Sequence, residues 1–287
     1  MPELAAEVER LSLVIEIGDM PVRVNTTDPG FLEILQDRYC GFVSSSDRAG
    51  REPEIEFDLD LTKTAFADRD APVSVTHHLG AWCLQRGDFR AEWKPASRKG
   101  HIRQATANRY SIDAVLRIVH TLVLARQGGF LLHSASAIRN GKAFLFAGVS
   151  GAGKTTISRL APPDVTLLTD EISYVRRNDP SKSDASKRDT GYTAFGTPFT
   201  GELAKLGENV SASIAALYLL AQGPENRIDP VAPSEAARSL LANVLFFAED
   251  EELVQSTFHS AFEFVSRVPV SRLTFVPDAR VWELIGS

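Results

Sequence analysis

The feature that most constrains the fold is a glycine-rich loop at residues 148–155, which reads GVSGAGKT. It fits the pattern G-x-x-x-x-G-K-[S/T], in which backbone N–H groups surround phosphate oxygens, the lysine reaches the β- and γ-phosphates, and the last hydroxyl can bind Mg²⁺. The run KAFLFA at 142–147 predicts a strand before the loop, and TTISRL at 155–160 predicts a helix after it. The sequence therefore predicts an α/β fold with a phosphate-binding site formed by Gly148, Val149, Ser150, Gly151, Ala152, Gly153, Lys154, Thr155 and Thr156.

The strand that enters this loop is preceded by a hairpin signal. The apolar runs at 130–138 and 142–147 flank Arg139, Asn140 and Gly141, and Asn-Gly is the strongest short-range sign of a two-residue hairpin turn. We therefore expect the strand before the loop to be antiparallel to its predecessor. Most phosphate-loop proteins instead feed the loop from a parallel βαβ sheet.

Three titratable residues are expected near the loop. Asp170 and Glu171 follow Lys154 by 16 and 17 positions, which leaves room for one short helix and one strand, so the strand end returns the acids to the loop. A kinase uses one carboxylate to orient or deprotonate a hydroxyl and another to help hold Mg²⁺. On the hairpin strand, the imidazole of His133 can face the γ-phosphate or Asp170 and titrates near neutral pH. The alternatives are a capping or solvent-facing acid pair and a packed strand histidine.

Composition and missing motifs exclude several classes of protein. A net charge of −6 argues against a nucleic-acid binder, and the apolar stretch at 114–132 is interrupted by arginines and a histidine, which argues against a membrane span. Residues 1–14 carry early acids and no long apolar run, so we expect no secretory signal and a cytoplasmic protein with free thiols at Cys40 and Cys83. Neither the guanine-reading N/TKxD of a GTPase nor the LSGGQ-like segment of a transport ATPase is present.

The chain is expected to form two domains. Strand-like runs and a helix start at Asp28 and Pro29 predict a small α+β domain over 1–108. The spacing of apolar residues predicts a helix over 111–127, with His120 packed or at the surface, at the start of a nucleotide-binding domain over 109–287. The polar stretch at 178–189 is expected to be a loop.

Taken together, LLHSASA, GKAFLFAGVSGAGKTT and LLTDE resemble the nucleotide-binding core of the HPr kinase/phosphorylase-like proteins, which are related to ATP-dependent phosphoenolpyruvate carboxykinases. The resemblance covers residues 111–285 and is strongest over 130–172. It implies a mixed-sheet phosphate-loop kinase core, a catalytic aspartate at Asp170 with His133 beside it, and a metal-side acid at Glu171. The segment FGTPFTGE is similar to one in the smaller HPr-kinase-related proteins, which implies a further metal contact at Glu202.

The resemblance also implies a function. It indicates an ATP- and Mg²⁺-dependent kinase that phosphorylates a hydroxyl, with Asp170, His133 and Lys154 as catalytic residues and Thr155, Glu171 and Glu202 at the metal. The chain has Asp-Glu where the bifunctional enzymes have two aspartates, and it lacks a stretch like their GIINV, so HPr itself and the reverse reaction are not implied. Smaller relatives lie beside peptide-maturation enzymes, so the expected acceptor is a serine of a peptide or small protein, with the N-terminal domain recognising it and with a possible homo-oligomer. Two alternatives stay open, namely a non-catalytic ATP-binding regulatory or assembly protein and a small-metabolite kinase.

Overall fold

The computed structural model describes residues 10–44, 53–62, 71–105, 108–179, 190–203 and 206–286. The chain divides into two compact units, Met1–Leu116 and Arg117–Ser287, and the division falls inside the helix Arg109–Gln127. The domain boundary predicted at 108/109 stays a prediction. Most of the stretch at 178–189, for which the sequence predicts a loop, lies outside the described residues.

The first unit is built on a mixed sheet with one helix preceding its third strand. Asp28 caps this helix by accepting a hydrogen bond from the backbone N–H of Phe31 at 2.8 Å, as its sequence position predicts. The elements are β1 (Leu11–Ile17), β2 (Met20–Thr26), α1 (Pro29–Arg38), β3 (Ile55–Leu61), β4 (Ser74–His78), β5 (Ala81–Arg86), β6 (Phe89–Lys94) and β7 (Lys99–Gln104). In the described residues the sheet has seven strands in the order β1-β2-β3-β7-β6-β5-β4, with β2, β3 and β7 parallel.

The second unit begins inside the long helix α2 (Arg109–Gln127), and its described part contains a sheet of nine strands. No helix among the described residues is both long enough and apolar enough to span a bilayer. The elements are β8 (Phe130–Arg139), β9 (Lys142–Ala147), α3 (Lys154–Arg159), β10 (Thr166–Thr169), β11 (Ile172–Arg177), β12 (Tyr192–Phe195), β13 (Ser211–Gln222), β14 (Arg227–Pro230), α4 (Pro233–Leu241), β15 (Val244–Leu245), α5 (Glu251–Arg267), β16 (Val270–Phe275) and a 3₁₀ helix (Ala279–Leu284).

The predicted hairpin before the loop is confirmed. Strands β8 and β9 are antiparallel, with Arg139 opposite Lys142, and the two turn residues Asn140 and Gly141 have φ of 50° and 71°. Positive φ at both positions is the geometry of a type I′ turn, which asparagine and glycine tolerate best. The other neighbour of β9 is β13, which runs parallel to it, so the sheet is mixed as expected.

Strand β9 is held from both faces of the sheet. Its Leu145 and the Leu217 of β13 belong to a core cluster that includes Phe264 of α5. The adjacent Phe146 and Tyr218 belong to a second cluster, which contains Ile157 of α3 and Trp282 of the 3₁₀ helix. Because successive strand residues point to opposite faces, both faces are covered and the end of β9 is a rigid base for the loop.

Helix α2 buries a histidine without a polar partner. His120 is fully buried, its ring meets the ring of Tyr174 edge-on at 5.4 Å, and neither ring nitrogen has a hydrogen-bond partner among the described residues. Burial lowers the pKa of His120 from 6.5 to about 3. The unfolded chain therefore binds a proton at this site below about pH 6.5, whereas the folded chain does not. Above about pH 6.5 this site does not lower the free energy of unfolding. As the pH falls from 6.5 towards 3, the free energy of unfolding decreases because only the unfolded chain binds the proton.

We expect His120→Phe to weaken the acid sensitivity of folding. Phenylalanine keeps the ring contact and removes the titration. In the unaltered chain this titration lowers the free energy of unfolding by up to about 1.4 kcal/mol per pH unit in this window. The free energy of unfolding would be measured in urea at about pH 7 and about pH 5. The exposed His259, replaced by phenylalanine, is the control. An equal loss of stability on acidification in both variants would contradict the assignment to His120.

Candidate functional site

Glycines shape the loop between β9 and α3. Gly151 and Gly153 have φ of 78° and 112°, a region that other residues rarely adopt. A Cβ atom at Gly153 would lie 2.6 Å from the ring of Phe275, and one at Gly148 would lie 2.7 Å from the Cβ of Ala152. These positions therefore require glycine, and the tight loop leads directly into helix α3 at Lys154.

A cavity of about 640 Å³ lies at this loop. It brings together nine of the residues that the sequence predicts for the site, drawn from the hairpin, the loop and the start of α3, the segment after β10 and the segment after β12. Asp170 is not among the lining residues and is only 4% exposed. The lining residues are His133, Ser150, Gly151, Gly153, Lys154, Thr155, Thr156, Glu171, Gly201 and Glu202.

The cation of the cavity is Lys154, which is 8% exposed. Its ammonium group donates a hydrogen bond to the backbone carbonyl of Gly148 at 3.0 Å, within the loop itself. Burial lowers the pKa of Lys154, while the negative charges of Glu171 and Glu202 act in the opposite direction. A lysine ammonium group directly after a glycine loop is suited to binding a phosphate-type anion.

His133 and Glu171 form a pair at one side of the cavity. His133 Nε2 lies 3.7 Å from Glu171 Oε1, which is close enough for a charge interaction but too long for a hydrogen bond. His133 is the residue of β8 that pairs with Ile172, so strand register places it beside Glu171. Burial lowers the pKa of His133, and the charges of Lys154 and Arg117 lower it further against the effect of Glu171. The imidazole is therefore neutral near pH 7 and can accept a proton.

Thr155 and Glu202 form a second pair. The hydroxyl of Thr155 donates to Oε2 of Glu202 at 3.4 Å, and both residues line the cavity. No group of three or more His, Cys, Asp or Glu side chains within the described ranges is arranged to hold a metal ion. A hydroxyl and a carboxylate are nevertheless oxygen ligands of the kind that Mg²⁺ accepts when phosphate groups and waters supply the rest. The donor set thus fits Mg²⁺ together with a bound polyphosphate.

Asp170 has a different environment from the one that the sequence predicts for a catalytic acid. Its Oδ1 accepts a hydrogen bond from the N–H of Gly201 at 2.9 Å, and its Oδ2 accepts one from the N–H of Leu203 at 3.0 Å. The acid that faces the cavity is its neighbour Glu171. The two adjacent acids therefore have separate surroundings, one in the protein and one in the cavity.

Sequence reasoning missed two residues of the site. Gly201 lines the cavity, and a Cβ atom there would lie 2.6 Å from Glu171 Oε2. Arg117 lowers the pKa of His133, and its guanidinium group lies 4.9 Å from the centre of the Phe199 ring. The available signals were a glycine directly before Glu202 and an arginine within the apolar pattern of the helix at 111–127.

Comparison with protein families matches residues 101–287 to the SynChlorMet cassette protein ScmC. The chain belongs to the ScmC family. Comparison with curated proteins finds no match. The ScmC region contains every candidate site residue from His133 to Glu202, whereas β1 to β6 and α1 precede it. The glycine loop and the acids around it are therefore part of the region that defines the family match.

Proposed function

We propose that the chain is a cytoplasmic, ATP- and Mg²⁺-dependent kinase of the HPr-kinase type, which transfers the γ-phosphate to a serine hydroxyl of a peptide or small protein. The observation that carries this proposal is the shared cavity. A loop lysine, an oxygen pair suited to Mg²⁺ and a histidine–carboxylate pair all line the same space of about 640 Å³. Nucleotide binding alone needs the lysine and the oxygen pair. The histidine–carboxylate pair can in addition accept the proton of an acceptor hydroxyl.

The phosphate side of the cavity consists of the loop and the Thr155–Glu202 pair. Backbone N–H groups of the loop and the ammonium group of Lys154 bind phosphate oxygens, and Lys154 exchanges its bond to the Gly148 carbonyl for this contact. Thr155 and Glu202 would hold Mg²⁺, which when bound neutralises negative charge on the phosphates. The protein therefore acts on this side by positioning and charge stabilisation.

The acceptor side consists of Glu171 and His133. The acceptor O–H bond breaks and its proton passes to this pair, while the acceptor oxygen bonds to the γ-phosphorus. The bond from the γ-phosphorus to the bridging oxygen of ADP breaks, so the products are ADP and a phosphorylated hydroxyl. The lowered pKa of His133 supports this role because a base must be unprotonated before transfer.

A second cavity, of about 480 Å³, supports a site for the nucleobase. It shares Gly153 and Thr156 with the first cavity and is adjacent to the loop on the side of Phe275. Its remaining lining includes a glycine and a proline, so flat apolar surface is available for an aromatic base. We place the base here, with the phosphates extending to Lys154 and with ATP as the nucleotide that the HPr-kinase resemblance implies.

One observation favours the non-catalytic alternative. Asp170, which the resemblance makes the catalytic acid, is engaged by backbone N–H groups and does not line the cavity. A nucleotide-binding assembly protein needs no such acid. It would bind ATP and change its association with a partner without transferring phosphate.

The deciding experiment offers the full chain Mg-ATP with three acceptors: a serine-containing peptide, the same peptide with alanine at the serine, and a free small alcohol. Mass spectrometry would follow phosphate addition to each. We expect phosphate on the serine peptide alone, and none when Mg²⁺ is chelated. Phosphate on the small alcohol alone would favour a metabolite kinase. ATP binding with no phosphate on any of a panel of serine peptides would contradict the kinase proposal.

A further inference from the structure

We infer that Asp170 is a positioning residue that holds Glu202 beside Thr155, and that it is not the group that meets the acceptor hydroxyl. This inference deepens the proposed function and rests on it. It assigns the two neighbouring acids to different tasks, with Asp170 acting through the backbone on the metal side and Glu171 acting in the cavity on the acceptor side.

The first step of the argument is the accessibility of Asp170. Its side chain is 4% exposed, and each of its two oxygens already accepts a backbone hydrogen bond, from Gly201 and from Leu203. Charge-assisted hydrogen bonds of this kind are about twice as strong as neutral ones. An acceptor hydroxyl would have to displace the segment at 201–203 to reach this carboxylate, whereas Glu171 is reached directly from the cavity.

The second step is the way the segment is held at the end of β10. The residue before Asp170, Thr169, donates a hydrogen bond from its hydroxyl to the backbone carbonyl of Phe199. A Cβ atom at Gly201 would lie 3.0 Å from Asp170 Oδ2 and 2.6 Å from Glu171 Oε2. The backbone at 201 therefore packs against both acids, and glycine is the residue that allows this approach.

The third step is the position of Glu202 between the two bonds. Asp170 holds the N–H of residue 201 on one side and that of residue 203 on the other, so the backbone of Glu202 is fixed on both sides. From there, the Glu202 carboxylate reaches the hydroxyl of Thr155 at 3.4 Å. Loss of the Asp170 contacts would release Glu202 from Thr155 while the phosphate loop stayed intact.

The test uses Asp170→Asn, which replaces one accepting oxygen by an N–H₂ group and so deprives one backbone N–H of its partner. We expect hydrogen exchange in the nucleotide-free protein to be faster by about ten-fold or more at the amide that loses its partner, which is that of Gly201 or of Leu203. We also expect the Mg²⁺ concentration for half-maximal binding of a fluorescent ATP analogue to rise about ten-fold, as it does in Glu202→Gln. The double variant should need no more Mg²⁺ than Glu202→Gln, because both changes remove the same contact.

A second pair of variants leaves Asp170 unchanged. Leu203→Pro removes one of the two N–H donors and should raise the Mg²⁺ requirement, whereas Leu203→Ala keeps the donor and should not. Unchanged exchange and an unchanged Mg²⁺ requirement in Asp170→Asn would overturn the inference, as would loss of transfer by that variant at saturating Mg²⁺. Failure of the kinase proposal is a separate result, namely no transfer by the unaltered chain, and both binding and exchange can still be measured in that case.

Discussion

Replacement of Lys154 by alanine is expected to lower kcat/KM for phosphate transfer by about a thousand-fold, since removal of one preorganised charge at a transferring group has effects of this size. The side chain supplies the cavity's ammonium group, and its hydrogen bond in the structure goes to the loop's own Gly148 carbonyl. Loss of this bond leaves a carbonyl beside an open cavity, so we expect little change in the free energy of unfolding. The variant should bind ATP weakly and transfer almost no phosphate, as measured by calorimetry and by mass spectrometry of the acceptor.

Two control variants test whether the effect is specific to the position and the shape of the Lys154 side chain. Lys142→Ala removes an exposed lysine at the start of β9, the strand that enters the same loop, and should leave transfer unchanged. Lys154→Arg keeps a positive charge but changes its shape, and should retain part of the ATP affinity with little transfer. If Lys154→Ala and Lys142→Ala transferred phosphate equally well, the loop would not be the phosphate site.

The local parts of the site could be predicted from the sequence because they depend on neighbours in the chain. The turn at Asn140 and Gly141 is encoded by two residues that accept positive φ, and the structure confirms both the turn and the antiparallel strand pair. The loop glycines are similarly local, since each is required by its own φ or by a contact at short range. The helix predicted at 111–127 is confirmed within one or two residues as Arg109–Gln127.

The different surroundings of Asp170 and Glu171 could not be predicted, because they depend on a segment that is distant in the sequence. Asp170 and Glu171 lie in the bend between β10 and β11, where no strand alternation decides which of the two carboxylates faces away from the cavity. Which one does so is linked to the backbone at 201–203, whose N–H groups satisfy Asp170. Likewise, the parallel pairing of β9 with β13 joins strands far apart in the chain, and no local pattern encodes it.

Replacement of Glu171 by glutamine is expected to lower kcat by about a hundred- to a thousand-fold, with little change in KM for ATP. A positioned proton acceptor contributes about a hundred- to ten-thousand-fold. Glutamine has nearly the same shape as glutamate but cannot take up the proton of the acceptor hydroxyl. It also removes the negative charge that lies 3.7 Å from His133 Nε2. Glu225→Gln, at an exposed carboxylate paired with Arg227, is the matched control and should transfer at the normal rate.

The same variant tests whether Glu171 and His133 act as a unit. If the proton passes to the pair, His133→Gln alone should cost a similar factor, and the double variant should be little worse than either single one, because residues that act together are not additive. Steady-state kinetics with a fixed acceptor peptide would give the three values of kcat. Losses that multiply would mean that the two side chains act separately, and a near-normal kcat in Glu171→Gln would remove this carboxylate from proton transfer. Because Glu171 faces the cavity and Asp170 does not, the comparison of Glu171→Gln with Asp170→Asn at saturating Mg²⁺ identifies which neighbouring acid meets the acceptor.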